Sequence, residues 1–306
     1  MNKTPLISIC VITYNSSVYI KETLESIKKQ TYNNIELIIS DDCSTDDTAS
    51  ICNNWLEENR DRFVSVCFSS LLSNSGVPSN CNNAVNKSNG EWLQLIAGDD
   101  LLTPNAISDY VDYLNNNPGA QIIFSLSQSF IDNNGYIFGK VRPDRNAVNL
   151  LKSDSTIQMD ALLFNNYLPA PSHLTKRELA FKYRFDEDFR LCEDYPRWLK
   201  MASNHVHFHL MEKVTVLYRQ HESISLSRRK YVNETLLLEN EKLFFDYIYP
   251  FYKHNEELIR YKRAIFFIQE FEVILLKNNK NNLFGRLLLK FIRRRLSQWA
   301  KRTVSF

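Results

Sequence analysis

A doubly wound, mostly parallel α/β sheet with helices on both faces is the fold class that this sequence predicts. Three observations carry that expectation. Short apolar runs alternate with segments of helical period between Leu6 and Leu126, the rhythm of successive strand–helix units. The runs are nearly continuous, as in strands covered on both faces. Three of them end in polar or acidic residues, and in open α/β sheets ligands bind beyond the carboxyl ends of the strands.

Leu6–Ile12 is the first expected strand. Lys3 ahead of it does not make a secretion signal, because the run is short, passes straight into Thr13-Tyr14-Asn15 and lacks a small-residue cleavage site. Ile20, Leu24 and Ile27 then fall at i, i+4 and i+7, one face of a helix. Ile35–Ile39 is the second strand. Ser44, with Asp47 three residues on, has the chemistry of a helix cap, and Thr48, Ile51 and Trp55 form the inner stripe of that helix. Phe63–Phe68 and Trp92–Ile96 read as the third and fourth strands. Thr103-Pro104 pairs a cap with proline at the first helical position, ahead of Ile107, Val111 and Leu114. Ile122–Leu126 is the fifth strand.

The chain therefore falls into residues 1–127, a less regular stretch 128–227 containing Pro169, Pro171 and Pro196, and a helical extension 228–306. Glu256–Lys277 and Leu283–Lys301 are the clearest helices of that extension. With 44% hydrophobic and 24% charged residues among 306, disordered and collagen-like classes are excluded. Apolar runs such as Ile265–Ile268 fall far short of the about 20 residues that span a bilayer. Six scattered cysteines without a C-x-x-C pair are expected to be reduced thiols of a cytoplasmic protein. The net charge of +2 hides an asymmetry, since residues 228–306 hold 17 Lys/Arg against 8 Asp/Glu and residues 1–227 hold 20 against 27. An acidic body suits a cation or diphosphate site, and a basic tail suits an anionic surface.

The strand-end rule singles out Thr13-Tyr14-Asn15, Asp41-Asp42 and Asp99-Asp100. Neither G-x-G-x-x-G nor G-x-x-x-x-G-K-[ST] occurs, so dinucleotide-binding and P-loop chemistry are unsupported. A diphosphate can instead be held through a divalent cation, which takes carboxylate oxygens, and Asp99 and Asp100 are placed for one. The plainer account of that pair is a cap on the following helix. Asp41-Asp42 nearby favours the site.

The segment Ser8-Ile9-Cys10-Val11-Ile12-Thr13-Tyr14-Asn15, followed by Glu36 to Thr48, resembles the opening of the family 2 glycosyltransferases with the GT-A fold. Gly76 to Asn83 and Gly90-Glu91-Trp92 resemble the approach to that family's DxD strand, and Ala97-Gly98-Asp99-Asp100 resembles the DxD motif. Phe185-Asp186-Glu187, Glu193-Asp194-Tyr195 and Tyr218-Arg219-Gln220-His221 resemble later blocks, so the likeness covers residues 5–227 in order. It implies a GT-A domain with a nucleotide-sugar half, 1–127, and an acceptor-side half, 128–227. By position, Thr13 and Asp42 would contact base and ribose with Asp41 in support, and Tyr14, Asn15, Asn82 and Arg219 would join the donor site. Asp99 would ligate Mn²⁺ or Mg²⁺, with Asp100 and His221 as further metal candidates. Asp194 would be the general base, with Glu193 the neighbouring candidate. Ala97 departs from the motif's first acidic position and removes one ribose or metal contact.

The expected activity is an inverting, metal-dependent transfer of a hexose from a nucleotide-diphosphate donor, a UDP-sugar foremost. The acceptor would be a hydroxyl of a growing, lipid-linked bacterial surface glycan such as O-antigen or capsule. The cation offsets charge on the leaving diphosphate, one carboxylate deprotonates the incoming hydroxyl, and a single displacement inverts the anomeric carbon. Two rivals are a catalytically inactive GT-A-like assembly partner, favoured only by Ala97, and a sugar nucleotidyltransferase. The latter usually needs a Gly-rich basic loop where Tyr14-Asn15-Ser16-Ser17 stand.

Other features carry two readings each. His205, His207 and His209 alternate, so on a strand they would share a face as an ordinary half-exposed strand or a zinc site. Arg219 either pairs with a carboxylate or contacts phosphate. Asn74, Asn80, Asn82 and Asn83 are loop composition or, at Asn82, donor positioning. Residues 283–306 hold seven basic and no acidic residues, interleaved with Leu287, Phe291, Leu296 and Trp299. That is an amphipathic helix on an anionic membrane surface, at the inner face of the cell membrane, or a solvated basic helix. Nucleic acid is not an expected partner of so acidic a body.

Overall fold

The computed structural model describes residues 4–220, 234–252 and 256–270, together with Phe291 and Arg294. In chain order the elements are β1 (Ile7–Thr13), α1 (Ile20–Lys28), β2 (Ile35–Asp41), α2 (Thr48–Asn59), β3 (Ser65–Ser70), α3 (Val77–Lys87), β4 (Trp92–Ala97), β5 (Leu101–Leu102), α4 (Ala106–Asn116), β6 (Ile122–Asp132) and β7 (Tyr136–Arg142). They continue as α5 (Arg145–Leu151), α6 (Ser155–Phe164), β8 (His173–Lys176), α7 (Arg177–Lys182), α8 (Asp194–Ser203), β9 (His209–Arg219), α9 (Glu234–Leu243), α10 (Tyr249–Tyr252) and α11 (Glu256–Glu270). Met1–Leu162 with Asn166–His221 forms one unit, and Leu163–Asn165 with Glu222–Phe306 forms another.

The apolar runs become central strands because each face of the sheet has its own helical cover. Ile7, Ile9 and Val11 of β1 pack in one layer with Ile20, Leu24 and Ile27 of α1, Trp55 of α2 and Ile107 of α4. Cys10, pointing the other way, packs with Cys81, Ala84 and Val85 of α3 and Ala180 of α7. The strand order is β3-β2-β1-β4-β8-β6-β9-β5, with β7 paired to β6. β1 is parallel to both β2 and β4. The chain thus builds outward from β1 to β3 and then returns to lay β4 on the other side of β1. That reversal is a topological switch point, and it lies between the ends of Thr13 and Ala97.

Several boundaries differ from the sequence reading for identifiable reasons. The third strand begins at Ser65, because β2 and β3 pair only from Glu36↔Ser65 onward. Phe63 instead lies 6.1 Å from the Trp55 ring. Ser44 does not cap α2, since its hydroxyl donates to Asp41 Oδ1 at 2.5 Å. Asp46 serves that helix end, accepting from Thr48 N at 3.0 Å and from Ser17 N at 3.1 Å. Thr103 does not cap α4, for it donates N–H to Thr215 O at 2.9 Å and its hydroxyl to Val214 O at 3.1 Å. The strand beginning at Ile122 is the sixth, because Leu101–Leu102 pairs with β9. β9 starts only at His209 and His205 has φ +57°, so the three histidines do not alternate along one strand.

The sheet is locked at the end opposite the switch point by Glu36, buried within β2. Its Oε1 accepts from Ser8 Oγ at 2.5 Å, Asn89 N at 2.5 Å and Gly90 N at 2.8 Å. Burial alone would raise this carboxyl, yet the bonds from Ser8, Asn89 and Gly90 outweigh it and hold the group below its ordinary value. The charged form therefore stabilises the fold above the usual carboxyl range, and that contribution is lost as pH falls through the depressed value. Glu36→Gln is expected to reduce stability at neutral pH by about 2 kcal/mol. The deficit should shrink in acid, and urea unfolding of both proteins across that range measures it.

In the second unit, the helical turn that follows α9 meets α11 through aromatic rings, with Phe244 5.7 Å and Phe245 6.2 Å from Phe266. The helix expected over Glu256–Lys277 is described as far as Glu270. The basic helix expected over Leu283–Lys301 lies outside the described residues apart from Phe291 and Arg294. Among the described residues no helix is long and apolar enough to cross a membrane. All six cysteines carry free thiols.

Candidate active site

The ends of β1, β2 and β4 converge as the strand-end rule requires. Asp42 N donates to Thr13 O at 2.9 Å, and Gly98 N donates to Ile12 O at 2.9 Å. Gly98 permits this approach, since a Cβ there would meet Thr13 Oγ1 at 2.9 Å and Thr13 Cβ at 3.1 Å. The Thr13 hydroxyl is buried and without a hydrogen-bond partner. Beside it, Asn15 (φ +48°) accepts on Oδ1 from Thr45 N at 2.8 Å and donates its own N–H to Ser44 Oγ at 2.8 Å. Tyr14 remains exposed.

The two aspartates at the carboxyl end of β2 have different duties. Asp41 Oδ2 accepts from Ser44 N at 2.9 Å and from Ser70 Oγ at 3.0 Å, tying the turn to β3. Asp42 takes Ser75 N at 2.7 Å on one oxygen and Gly76 N at 2.9 Å on the other, holding the entry to α3. Each Asp42 oxygen keeps a further lone pair. Burial pushes its carboxyl up, against those two hydrogen bonds.

Asp99 and Asp100 are joined to β9 through Arg219. Arg219 N donates to Asp100 Oδ1 at 2.9 Å and Nε donates to the Asp99 carbonyl at 2.8 Å. A terminal guanidinium nitrogen pairs with Glu22, and the group lies 4.7 Å from the Tyr19 ring centre and 4.6 Å from that of Phe130. Arg219 thus has a carboxylate partner in Glu22. Asp100 Oδ2 is buried without a hydrogen-bond partner. Burial first and the neighbouring Asp99 second push the Asp100 carboxyl well up. An orphaned buried carboxylate oxygen beside a second aspartate fits a hard divalent cation, which neutralises charge through oxygen ligands. His221 lies outside the described residues.

Asp194 opens α8, with Glu193 immediately before it. Asn166 Nδ2 donates to Asp194 Oδ2 at 2.9 Å. Burial raises the Asp194 carboxyl above its ordinary value, and the Asn166 hydrogen bond opposes the rise. The segment leading into α8 is fastened across the start of α3. Asn82 donates to Phe185 O at 3.0 Å and to Glu187 Oε1 at 2.7 Å, and accepts from Phe185 N at 3.1 Å. Ser79 Oγ donates to Glu187 Oε2 at 3.1 Å, and Arg190 donates to Asn74 Oδ1 at 3.1 Å. The buried amide of Asn82, a residue expected at the donor, is engaged with the Phe185–Glu187 segment. Glu22, Tyr19 and Asn166 carry no motif, so pattern reading passed over them.

The chain belongs to glycosyl transferase family 2, whose model matches residues 8–168. Among its relatives, an uncharacterised glycosyltransferase of Methanocaldococcus jannaschii is 28% identical over 217 residues, 70% of this chain and 71% of the other. The UDP-Glc:alpha-D-GlcNAc-diphosphoundecaprenol beta-1,3-glucosyltransferase WfaP of Escherichia coli is 28% identical over 232 residues, covering 74% and 81%. The crystal structure of S. aureus TarS 1-349 in complex with UDP-GlcNAc superposes with a TM-score of 0.58 at 21% identity. That match covers 78% of this chain and 66% of that one, and it establishes the GT-A type of fold.

Proposed function

We propose that this glycosyltransferase moves a sugar, with inversion, from a UDP-sugar to a hydroxyl of a growing, lipid-linked cell-surface glycan. The observation that carries the reading is the convergence of Thr13, Asp42 and Asp99-Asp100 at the switch point between β1 and β4. The E. coli relative, named for transfer from UDP-Glc to a diphosphoundecaprenol-linked sugar, supports the choice of donor and acceptor class. Thr13, Tyr14, Asn15 and Asp42 take the nucleoside, with Asp41 bracing the turn.

Asp99 and Asp100 would hold a Mn²⁺ or Mg²⁺ ion, which supplies charge neutralisation to a departing diphosphate. Asp194 accepts the proton of the incoming acceptor hydroxyl, and Asn166 holds the carboxylate in orientation. Glu193 is the alternative base. Peripheral placement on the inner face of the membrane, through residues 283–306, accords with a lipid-borne acceptor.

The test is a panel of nucleotide sugars incubated with purified protein and Mn²⁺, scored for nucleotide binding and release. One donor should be selected, and Asp99→Ala should weaken its binding by about 10-fold or more. A chain that binds no nucleotide would be the inactive assembly partner instead.

A further inference from the structure

A line of side chains runs from the main chain at Asp99 out to solvent. Arg219, bonded to the Asp99 carbonyl, lies against Phe130. The Phe130 ring centre is 4.9 Å from that of Tyr136, which is 6.4 Å from that of Phe138 in an edge-on arrangement. Exposure rises along the line, from 1% at Phe130 to 43% at Tyr136 and 52% at Phe138. Tyr136 and Phe138 are two apart on β7 and share a face, with Ile137 on the other. All seven residues of β7 are exposed, so among the described residues no other element covers β7. Large apolar side chains grouped in water mark a surface that binds something.

The chemistry around the rings identifies the partner. The Tyr136 hydroxyl donates to Glu22 Oε2 at 3.4 Å, and Asp132 stands opposite Tyr136 in the β6–β7 register. Glu22 and Asp132 are both partly exposed. A pyranose has an apolar C–H face that stacks on an aromatic ring and a rim of hydroxyls that donate to carboxylates. An anionic lipid surface would meet Glu22 and Asp132, two carboxylates against the single cation of Arg219 that they flank, while Lys140 and Arg142 lie at the far end of the strand.

We propose that Tyr136 and Phe138 form the acceptor platform, on which pyranose units of the glycan stack while its terminal hydroxyl is presented at the Asp99 end of the sheet. This rests on the reading of the chain as a transferase to glycan acceptors. The carboxylates give direction, because a sugar on Tyr136 has acceptors for its hydroxyls on the side nearest Arg219. Phe138, further out, offers only a ring. Tyr136 therefore recognises hydroxyl arrangement, and Phe138 contributes affinity for chain length.

Saturation-transfer NMR tests this with the methyl glycosides of glucose, galactose, mannose and N-acetylglucosamine and with linear tetrasaccharides of each. Nucleotide-sugar binding is measured on the same samples. At least one tetrasaccharide should contact the wild-type protein more strongly than its methyl glycoside. Phe138→Ala and Tyr136→Ala should each weaken that contact by about tenfold, and Ile137→Ala should leave it unchanged. Donor binding should persist in all three. Contact retained in the double variant, or no glycan contact in a wild-type protein that binds donor, would overturn the platform alone. Equal loss in Ile137→Ala, with loss of sedimentation on anionic vesicles, would assign the hairpin to a membrane instead. Failure of donor binding as well would overturn the transferase reading itself.

Discussion

Asp194→Asn should lower the rate of sugar transfer by about 10²- to 10⁴-fold while leaving nucleotide-sugar affinity unchanged. Asn166 donates to Asp194 Oδ2, and a carboxylate oxygen has a second lone pair with which to take a hydroxyl proton. An asparagine in that position fills the same space but has no basic oxygen to offer. The carboxyl also sits above its ordinary value, chiefly through burial, so it is a stronger base than an exposed aspartate. The sign for pH follows. Transfer requires the ionised form, so kcat/KM should rise with pH through an acid limb above the usual aspartate range of about 3.9. The Asn166 hydrogen bond holds the value down, so Asn166→Ala should move that limb further up and reduce activity most at low pH. Full transfer by Asp194→Asn would pass the role of base to Glu193. A limb unmoved by Asn166→Ala would separate Asn166 from the proton transfer.

The parts of this molecule that are local in sequence were legible, and the parts that are decided across the sheet were not. β1, β2 and β4 announced themselves because strands buried on both faces must be apolar throughout. Their carboxyl ends gather the candidate residues, since backbone direction alone fixes where a parallel sheet opens. Ser44 shows where pattern fails. Its spacing to Asp47 matches a cap, yet Asp41, three residues earlier and fixed by β2–β3 pairing, takes the same hydroxyl. Glu36 was passed over as one charge in an apolar run. Its partners Ser8, Asn89 and Gly90 come from other segments, and only the strand register brings them to it. Asn82 sits in the Gly76–Asn83 segment, whose resemblance points toward the donor strands. In the folded chain that amide bonds Phe185 and Glu187, where it steadies the approach to Asp194. Strand β7 lies inside a stretch without clear periodicity, because a strand exposed along its whole length has no apolar face to keep.

Arg219→Ala is the second large effect expected, and it should be felt in stability and in donor binding together. The side chain is 2% exposed and is held between the Tyr19 and Phe130 rings, with Nε on the Asp99 carbonyl and a terminal nitrogen on Glu22. Truncation removes a buried cation, two ring contacts and the donor that fixes the end of β4. Removing one partner of a buried pair costs about 3–5 kcal/mol. The lower figure applies here, because the Glu22 side chain is 44% exposed and water takes over its charge. The Arg219 N–H to Asp100 survives any side-chain change, so β9 should stay in register. Asp99, however, loses the restraint on its carbonyl, and nucleotide-sugar affinity should fall with it. Arg219→Lys separates the two effects. One ammonium keeps the charge beside Glu22 but lacks the fork that reaches Glu22 and the Asp99 carbonyl at once. Lysine should therefore recover most of the stability and little of the affinity, as read by urea unfolding and by calorimetric titration with the selected donor. Wild-type stability and affinity in Arg219→Ala would refute the linkage between this arginine and the donor-site strand end.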